Sequence, residues 1–339
     1  MDAVSKRLSS HRACGKLILL GEHFVVHGAP ALALPVASVG TVVSVYEQTA
    51  EGEPGGRVWA KGRSPGKGRT GACAQDEPAR LRLPAAPSWS AEATALAEQL
   101  CDAAFARLGL AERSWQIAVE ESVPVGSGLG SSAAYAVALI GALSEAAGQA
   151  LSVDELRAHA HELERVTHGD PSGIDDTVVA TERPIWFVRG REPLPLAAPA
   201  GLRLVLASTG EPRSTREAVA RVRERRQHDL EGFSRLCDEA ARVAAEGRAA
   251  LEAAEWRRLG VALDRNHTLL QEIGVSTPSL DALVEAARRA GALGAKLTGA
   301  GGGGFSVALV DAASRDAVAA ALRDAGAQTI LHEETLFPL

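Results

Sequence analysis

An α+β fold in two domains is what the sequence predicts, on three observations. Segments of helical periodicity alternate with short β-branched runs along the chain, without an internal repeat. The 339 residues exceed the roughly 100–200 of an ordinary domain. Arg191, Pro193, Pro195 and Pro199 break the composition near 190–200, which divides the chain into 1–197 and 198–339.

The elements follow in order. Leu17–Leu20, Ala31–Pro35 and the β-branched run through Val45 read as strands separated by glycine turns. Residues 51–80 are rich in Gly, Pro, Arg and Lys and lack apolar periodicity, so they read as a hairpin tip or a mobile surface loop. A helix over 90–108 stops before Gly109, a strand covers 115–120, and an apolar helix over 132–147 is stopped by Gly148. Ser152 and Glu155 stand at capping-box spacing, so a further helix starts there and runs to about His168. Strands are expected at 185–188 and 203–208, and long polar helices between 214 and 272. Thr277 at the N-cap, Pro278 behind it, Arg288 and Arg289 in the last turn and Gly291 beyond mark another helix. A strand, a glycine loop, a strand (305–310), a helix (314–325) and a strand (328–333) complete the pattern.

Charge and composition exclude several classes. With 36 Lys+Arg against 42 Asp+Glu the net charge is −6, which argues against a nucleic-acid partner. No apolar run reaches the ~18 residues of a membrane span, and the first dozen residues lack the apolar core of a secretory leader. The expectation is a cytoplasmic protein with no membrane partner. Cys14, Cys73, Cys101 and Cys237 are scattered, without a CxxC pair, and read as reduced thiols.

The strongest local signal is Pro124-Val-Gly-Ser-Gly-Leu-Gly-Ser-Ser-Ala-Ala134, a glycine loop that opens into a helix. Glycines let the backbone approach a ligand and adopt positive φ, and the first helical turn offers unpaired N–H groups at the positive end of its dipole. The combination is an anion site, most naturally for phosphate, and Ser131 or Ser132 can ligate a divalent cation; a serine-capped turn without ligand is the plainer alternative. The glycines fall at 126, 128 and 130, so this is neither a GxxxxGK[ST] P-loop nor a GxGxxG dinucleotide fingerprint. A second loop, Lys296-Leu-Thr-Gly-Ala-Gly-Gly-Gly-Gly-Phe305, lies between two strand-like segments; close packing against a ligand or another loop explains such density, and a flexible hairpin is the alternative.

Three further groups carry chemistry. His161, Glu164 and His168 share one helical face, as a solvated polar face or a zinc triad; HExxH itself fails because Arg165 stands where the second histidine belongs. Asp175 sits in a tight Pro-Ser-Gly-Ile-Asp loop just beyond. In Gly15-Lys-Leu-Ile-Leu-Leu-Gly-Glu-His23, Lys16 opens an apolar strand, where a lysine needs a carboxylate such as Asp175, a bound anion, or a snorkelled head.

Taken together these segments resemble the GHMP small-molecule kinases, and among them the mevalonate kinase family. Residues 15–28, 124–134 and 296–304 look like the three family motifs in order, and 168–177, 208–215 and 266–276 look like segments of the mevalonate kinases in particular. Galactokinases would carry Asp-Tyr after Gly-Glu-His, where this chain has Phe24-Val25-Val26. The resemblance implies an N-terminal half like domain 2 of ribosomal protein S5 and a ferredoxin-like C-terminal half. It implies ATP and Mg²⁺ as cofactors, and phosphorylation of the C5 hydroxyl of (R)-mevalonate on the route to isoprenoids. ATP is then bound by Pro124, Gly126, Ser127, Gly128, Leu129, Gly130, Ser131, Ser132 and Ala133, and Mg²⁺ by Ser132 and Glu164, which retires the zinc reading of Glu164. Asp175 matches the catalytic aspartate and Lys16 the lysine near the reacting hydroxyl, with Glu22, His23, Arg213 and Thr215 at the substrate end. A homodimer is the assembly the family suggests. The alternatives are another GHMP kinase, acting on phosphomevalonate or on the C3 hydroxyl, and a non-catalytic sensor on the same fold.

Three positions depart from the family pattern. Cys14 stands where many relatives have proline and places a thiol before Lys16, so alkylation is expected to inhibit. Phe24 replaces a small residue, with a change of pocket size if it lines the pocket. Asp176 replaces a frequent asparagine, and a second carboxylate there is expected to push Asp175 up by repulsion.

Overall fold

A computed structural model describes residues 6–47, 91–110, 115–121, 123, 127–169, 171–197, 200–211 and 215–334, and the backbone of 57–62. The chain forms two compact units that interleave along the sequence. The first comprises Met1–Ala13, Val39–Val123 and Ser132–Asp176; the second comprises Cys14–Ser38, Pro124–Ser131 and Thr177–Leu339.

In the first unit, β1 (Arg7–Leu20) contributes its first residues and β2 (Ala31–Glu47) its second half. With β3 (Arg57–Gly62) and β4 (Trp115–Glu121) they supply a sheet in which β4 is antiparallel to β2 and parallel to β3, and the helix α1 (Ala91–Arg107) lies between β3 and β4 in the chain. A strand inside 51–80 is a correction to the loop expected there: the β-prone run Val58-Trp59-Ala60 is short and flanked by charge, which hides it from a periodicity reading. The rest of that segment lies outside the described residues. α2 (Ser131–Ala146) is buried on every side from Ala133 to Ser144, the pattern of a core helix rather than a surface one. Gly141 makes room on α2 for His11, whose ring lies 2.5 Å from where a Cβ would stand. α3 (Val153–His168) opens on the expected capping box, with Ser152 and Glu155 each satisfying the other's backbone N–H.

β2 runs unbroken through Pro35, where the sequence reading ends a strand. Two of its antiparallel partners cover Ala31–Ala33 and Thr41–Glu47, and β1 pairs with it as well. The N–H groups of Ala37 and Ser38 donate to the buried Glu333 carboxylate, at 3.0 and 2.9 Å. A proline costs little where side-chain oxygens replace ladder bonds nearby.

The second unit continues from α4 (Ile174–Thr181) into β5 (Ile185–Phe187), β6 (Leu194–Pro195) and β7 (Arg203–Ser208). The polar stretch beyond is three helices, α5 (Thr215–His228), α6 (Leu230–Glu252) and α7 (Trp256–Glu272). Asp229 breaks the first pair by capping α6 through the Gly232 N–H at 2.8 Å. Then come α8 (Pro278–Arg289), β8 (Gly294–Thr298), β9 (Phe305–Val310), α9 (Arg315–Asp324) and β10 (Thr329–Glu334). The antiparallel sheet order is β10-β7-β9-β8, and α8 and α9 bury Leu283, Val284, Val318 and Leu322 against it. This is a split βαβ pair, the ferredoxin-like arrangement, with α5 to α7 inserted after its first strand. α7 touches β8 backbone to backbone: a Cβ on Gly260 would stand 2.0 Å from the Leu293 carbonyl oxygen, and one on Gly294 2.1 Å from that of Gly260. No helix among the described residues is long and apolar enough to cross a membrane.

Candidate active site

In the first unit, the candidate groups lie at the start of α2, in the second half of α3 and at the start of α4. The first turn of α2 is Ser131-Ser132-Ala133-Ala134, without a carboxylate to compete for its N–H groups. Ser132 Oγ donates a hydrogen bond to Glu164 Oε1, and Glu164 is buried on α3. The other oxygen of Glu164 lies 3.7 Å from His168 Nε2 at the exposed end of the helix. Ala133 is buried. A hydroxyl and a carboxylate are oxygen donors of the kind Mg²⁺ takes, and two protein ligands suit an ion that keeps waters and substrate phosphates as its remaining ligands. The residues therefore fit the cation. Among the described residues, no cluster of three or more His, Cys, Asp or Glu is arranged to hold a metal by itself, and the zinc triad is absent in that sense. His161 turns to Asp176 instead, with Nδ1 3.3 Å from Oδ2.

Asp175 and Asp176 open α4, the first partly exposed and the second buried. Burial pushes the Asp176 carboxyl up, with His161 acting in the opposite direction and Asp175 adding a little.

In the second unit the glycine loop meets Lys16. The Lys16 backbone N–H donates to the Leu129 carbonyl at 2.8 Å, and the buried Lys16 stem lies where a Gly130 side chain would be, with Cγ 2.6 Å from that Cβ position. Gly128 and Gly130 both have left-handed φ, 83° and 79°. Ser127 Oγ accepts from the Leu129 N–H at 3.1 Å and shapes the turn. Pro124, Gly126 and Arg213 lie outside the described residues. Thr215 is the first residue of α5, and its side chain lies outside them too.

Glu22 and His23 follow β1. Glu22 is buried and both oxygens of its carboxylate have partners within the protein: Lys296 Nζ binds one and Asn266 Nδ2 donates to the other at 3.1 Å. Burial pushes the Lys296 ammonium down, and Glu22 pulls it back up. His23 takes φ 60° at the turn, and its Nε2 donates to the Ala300 carbonyl at 2.9 Å. The second glycine loop is thereby tied down, and five of its glycines have positive φ, from 70° at Gly302 to 115° at Gly303. Gly302 N–H reaches the Val275 carbonyl and Gly304 accepts from Thr209 N–H. That packing is the reason for the glycines, and the flexible-hairpin alternative falls.

The family models for the GHMP kinases N terminal domain and the GHMP kinases C terminal match residues 93–182 and 248–328. The mevalonate kinase of Thermococcus gammatolerans is 36% identical over 329 residues, covering 95% of this chain and 94% of its own. That of Pyrococcus furiosus is 35% identical over 328 residues, covering 95% and 94%. The chain belongs to the GHMP kinases, in the mevalonate kinase family. The solved structure of L. major mevalonate kinase in complex with R-mevalonate superposes with a TM-score of 0.82 at 29% identity, covering 99% of this chain and all of that one.

Against the mevalonate kinase pattern, two of the three departures lose their expected consequence. Cys14 is 2% exposed, so its thiol is out of reach of an alkylating reagent. Phe24 is fully buried against Phe233 of α6, ring centroids 6.3 Å apart, and is core rather than pocket lining. Sequence reasoning missed Lys296, Asn266 and the His161–Asp176 contact. Lys296 was findable: it interrupts an apolar strand as Lys16 does, and the same cost of an unpaired buried charge demanded a partner.

Proposed function

We propose that the protein transfers the γ-phosphoryl group of ATP to the C5 hydroxyl of (R)-mevalonate, giving 5-phosphomevalonate and ADP. The observation that carries the reading is the Ser132–Glu164 oxygen pair at the start of α2, directly after a left-handed glycine loop, in a chain whose relatives are mevalonate kinases. The N–H groups of residues 126–133 bind the ATP phosphates at the helix N-terminus. Ser132 and Glu164 hold Mg²⁺, which offsets the charge of the phosphate oxygens.

The substrate hydroxyl oxygen attacks the γ-phosphorus in line, the bond to the β,γ-bridging oxygen breaks, and ADP leaves. Asp175 takes the hydroxyl proton. Lys16, whose stem is held by the loop at Gly130, supplies positive charge to the reacting oxygen and the transferring group. Glu22, through its turn, and His23, Arg213 and Thr215 belong to the substrate end. Segments 1–197 and 198–339 are the ATP-binding and C-terminal domains along the chain, and the protein works as a cytoplasmic homodimer. Asp175→Asn tests the base: kcat on mevalonate should fall ~10²–10⁴-fold, with little change in KM for ATP. Near-full turnover would remove Asp175 from the role.

A further inference from the structure

Asp175 and Asp176 are neighbours in one helical turn with unlike surroundings. Asp175 is partly exposed, whereas the Asp176 side chain keeps 4% of its surface. Successive residues of an α-helix point about 100° apart, so holding one of them inward sets the direction of the other. The holding contact comes from α3, where His161 Nδ1 lies 3.3 Å from Asp176 Oδ2. A buried carboxylate is costly unless paired and hydrogen-bonded, and His161 meets that need. The same helix, one turn on, carries Glu164 and its bond to Ser132.

We propose that His161 and Asp176 are a positioning pair for Asp175: the imidazole holds Asp176 against α3, and that fixes the first turn of α4 so that Asp175 faces the reacting hydroxyl. The inference rests on Asp175 being the proton acceptor. Without the imidazole, the Asp176 carboxylate gains by turning towards water, and the turn that presents Asp175 rotates with it. Two neutral amides at these positions keep the hydrogen bond and carry no charge that needs a partner.

Steady-state kinetics of the full chain with Mg-ATP and mevalonate test the pair in His161→Ala and in the double variant His161→Gln/Asp176→Asn. His161→Ala should lose about 10–100-fold in kcat, the cost of a misplaced group, while KM for both substrates moves far less. The double variant should recover most of that loss. With kcat normalised to the folded fraction, measured by circular dichroism of each variant, a general loss of folded structure leaves kcat unchanged, and only a misplaced Asp175 lowers it. Wild-type kcat in His161→Ala, a change confined to KM, or a double variant no better than the single one would each overturn the pair. An inert wild-type enzyme would instead overturn the proposed function, and the pair with it.

Discussion

The two glycine loops are alike in composition and unlike in what their glycines do. In the first, Gly128 and Gly130 turn the chain into α2, and Gly130 vacates space for the stem of Lys16. In the second, the glycines fit a connector between β8 and β9 against backbone: a Cβ on Gly301 would stand 2.2 Å from the Val275 carbonyl oxygen. In the first loop the missing side chain of Gly130 makes room for a lysine, and in the second that of Gly301 makes room for backbone. Glycine density therefore marks close approach, and what approaches decides between chemistry and structure.

The largest expected effect lies beneath the second loop. Lys296→Met leaves Glu22 buried without its cation and should cost about 3–5 kcal/mol in denaturant unfolding. Adding Glu22→Gln should recover most of it. A single variant as stable as the wild type would mean that the pair does not hold the frame of that loop.

Acid should strain the same frame. His267 is buried beside β8, accepts from the Leu297 N–H at 3.3 Å, and is pushed down to about 4 by burial, with Arg288 adding to the effect. An unfolded imidazole takes its proton near pH 6.5, so between there and about 4 the unfolded state binds the extra proton. Stability should therefore fall as pH drops through that window, by on the order of 3 kcal/mol in all. Melting His267→Gln across the same pH range should show a flatter acid limb; an unchanged limb would assign the slope elsewhere.

The first loop should respond in rate. Gly130→Ala pushes on Lys16 Cγ, and kcat/KM should fall about 10²-fold, as for other small misplacements of catalytic groups. The accompanying loss of stability should be only the ~1–2 kcal/mol of a left-handed alanine. Smallest is Gly302→Ala: its Cβ meets only a guanidinium nitrogen of Arg221 at 3.4 Å, so backbone strain of about 1 kcal/mol is all it should cost. If Gly130→Ala unfolded the protein while keeping the activity of the folded fraction, the contrast between the loops would collapse.

Much of this was legible in the sequence. Capping chemistry is local, so α3 and α8 begin where Ser152 and Thr277 announce them. The ferredoxin-like half keeps its elements in chain order, and the strands at 203–208 and 305–310 match the periodicity. β2 was misread because Pro35 is a local stop signal, whereas the oxygens that serve the nearby N–H groups come from Glu333, almost 300 positions away. Glu22 shows the same limit at the site. Its residue type and motif pointed to the substrate end, but its partners, Asn266 and Lys296, arrive from α7 and β8. Pairings across the fold decide what a carboxylate is available for, and no spacing records them.

Phosphoryl transfer to the C5 hydroxyl of mevalonate is the proposed reaction. A coupled ADP-release assay with Mg-ATP tests it on mevalonate, 5-phosphomevalonate, galactose and homoserine, with phosphorus NMR of the product. Turnover is expected on mevalonate alone, with the phosphate on the C5 oxygen. A 3-phosphate, turnover on another of the four, or no turnover at all would contradict it.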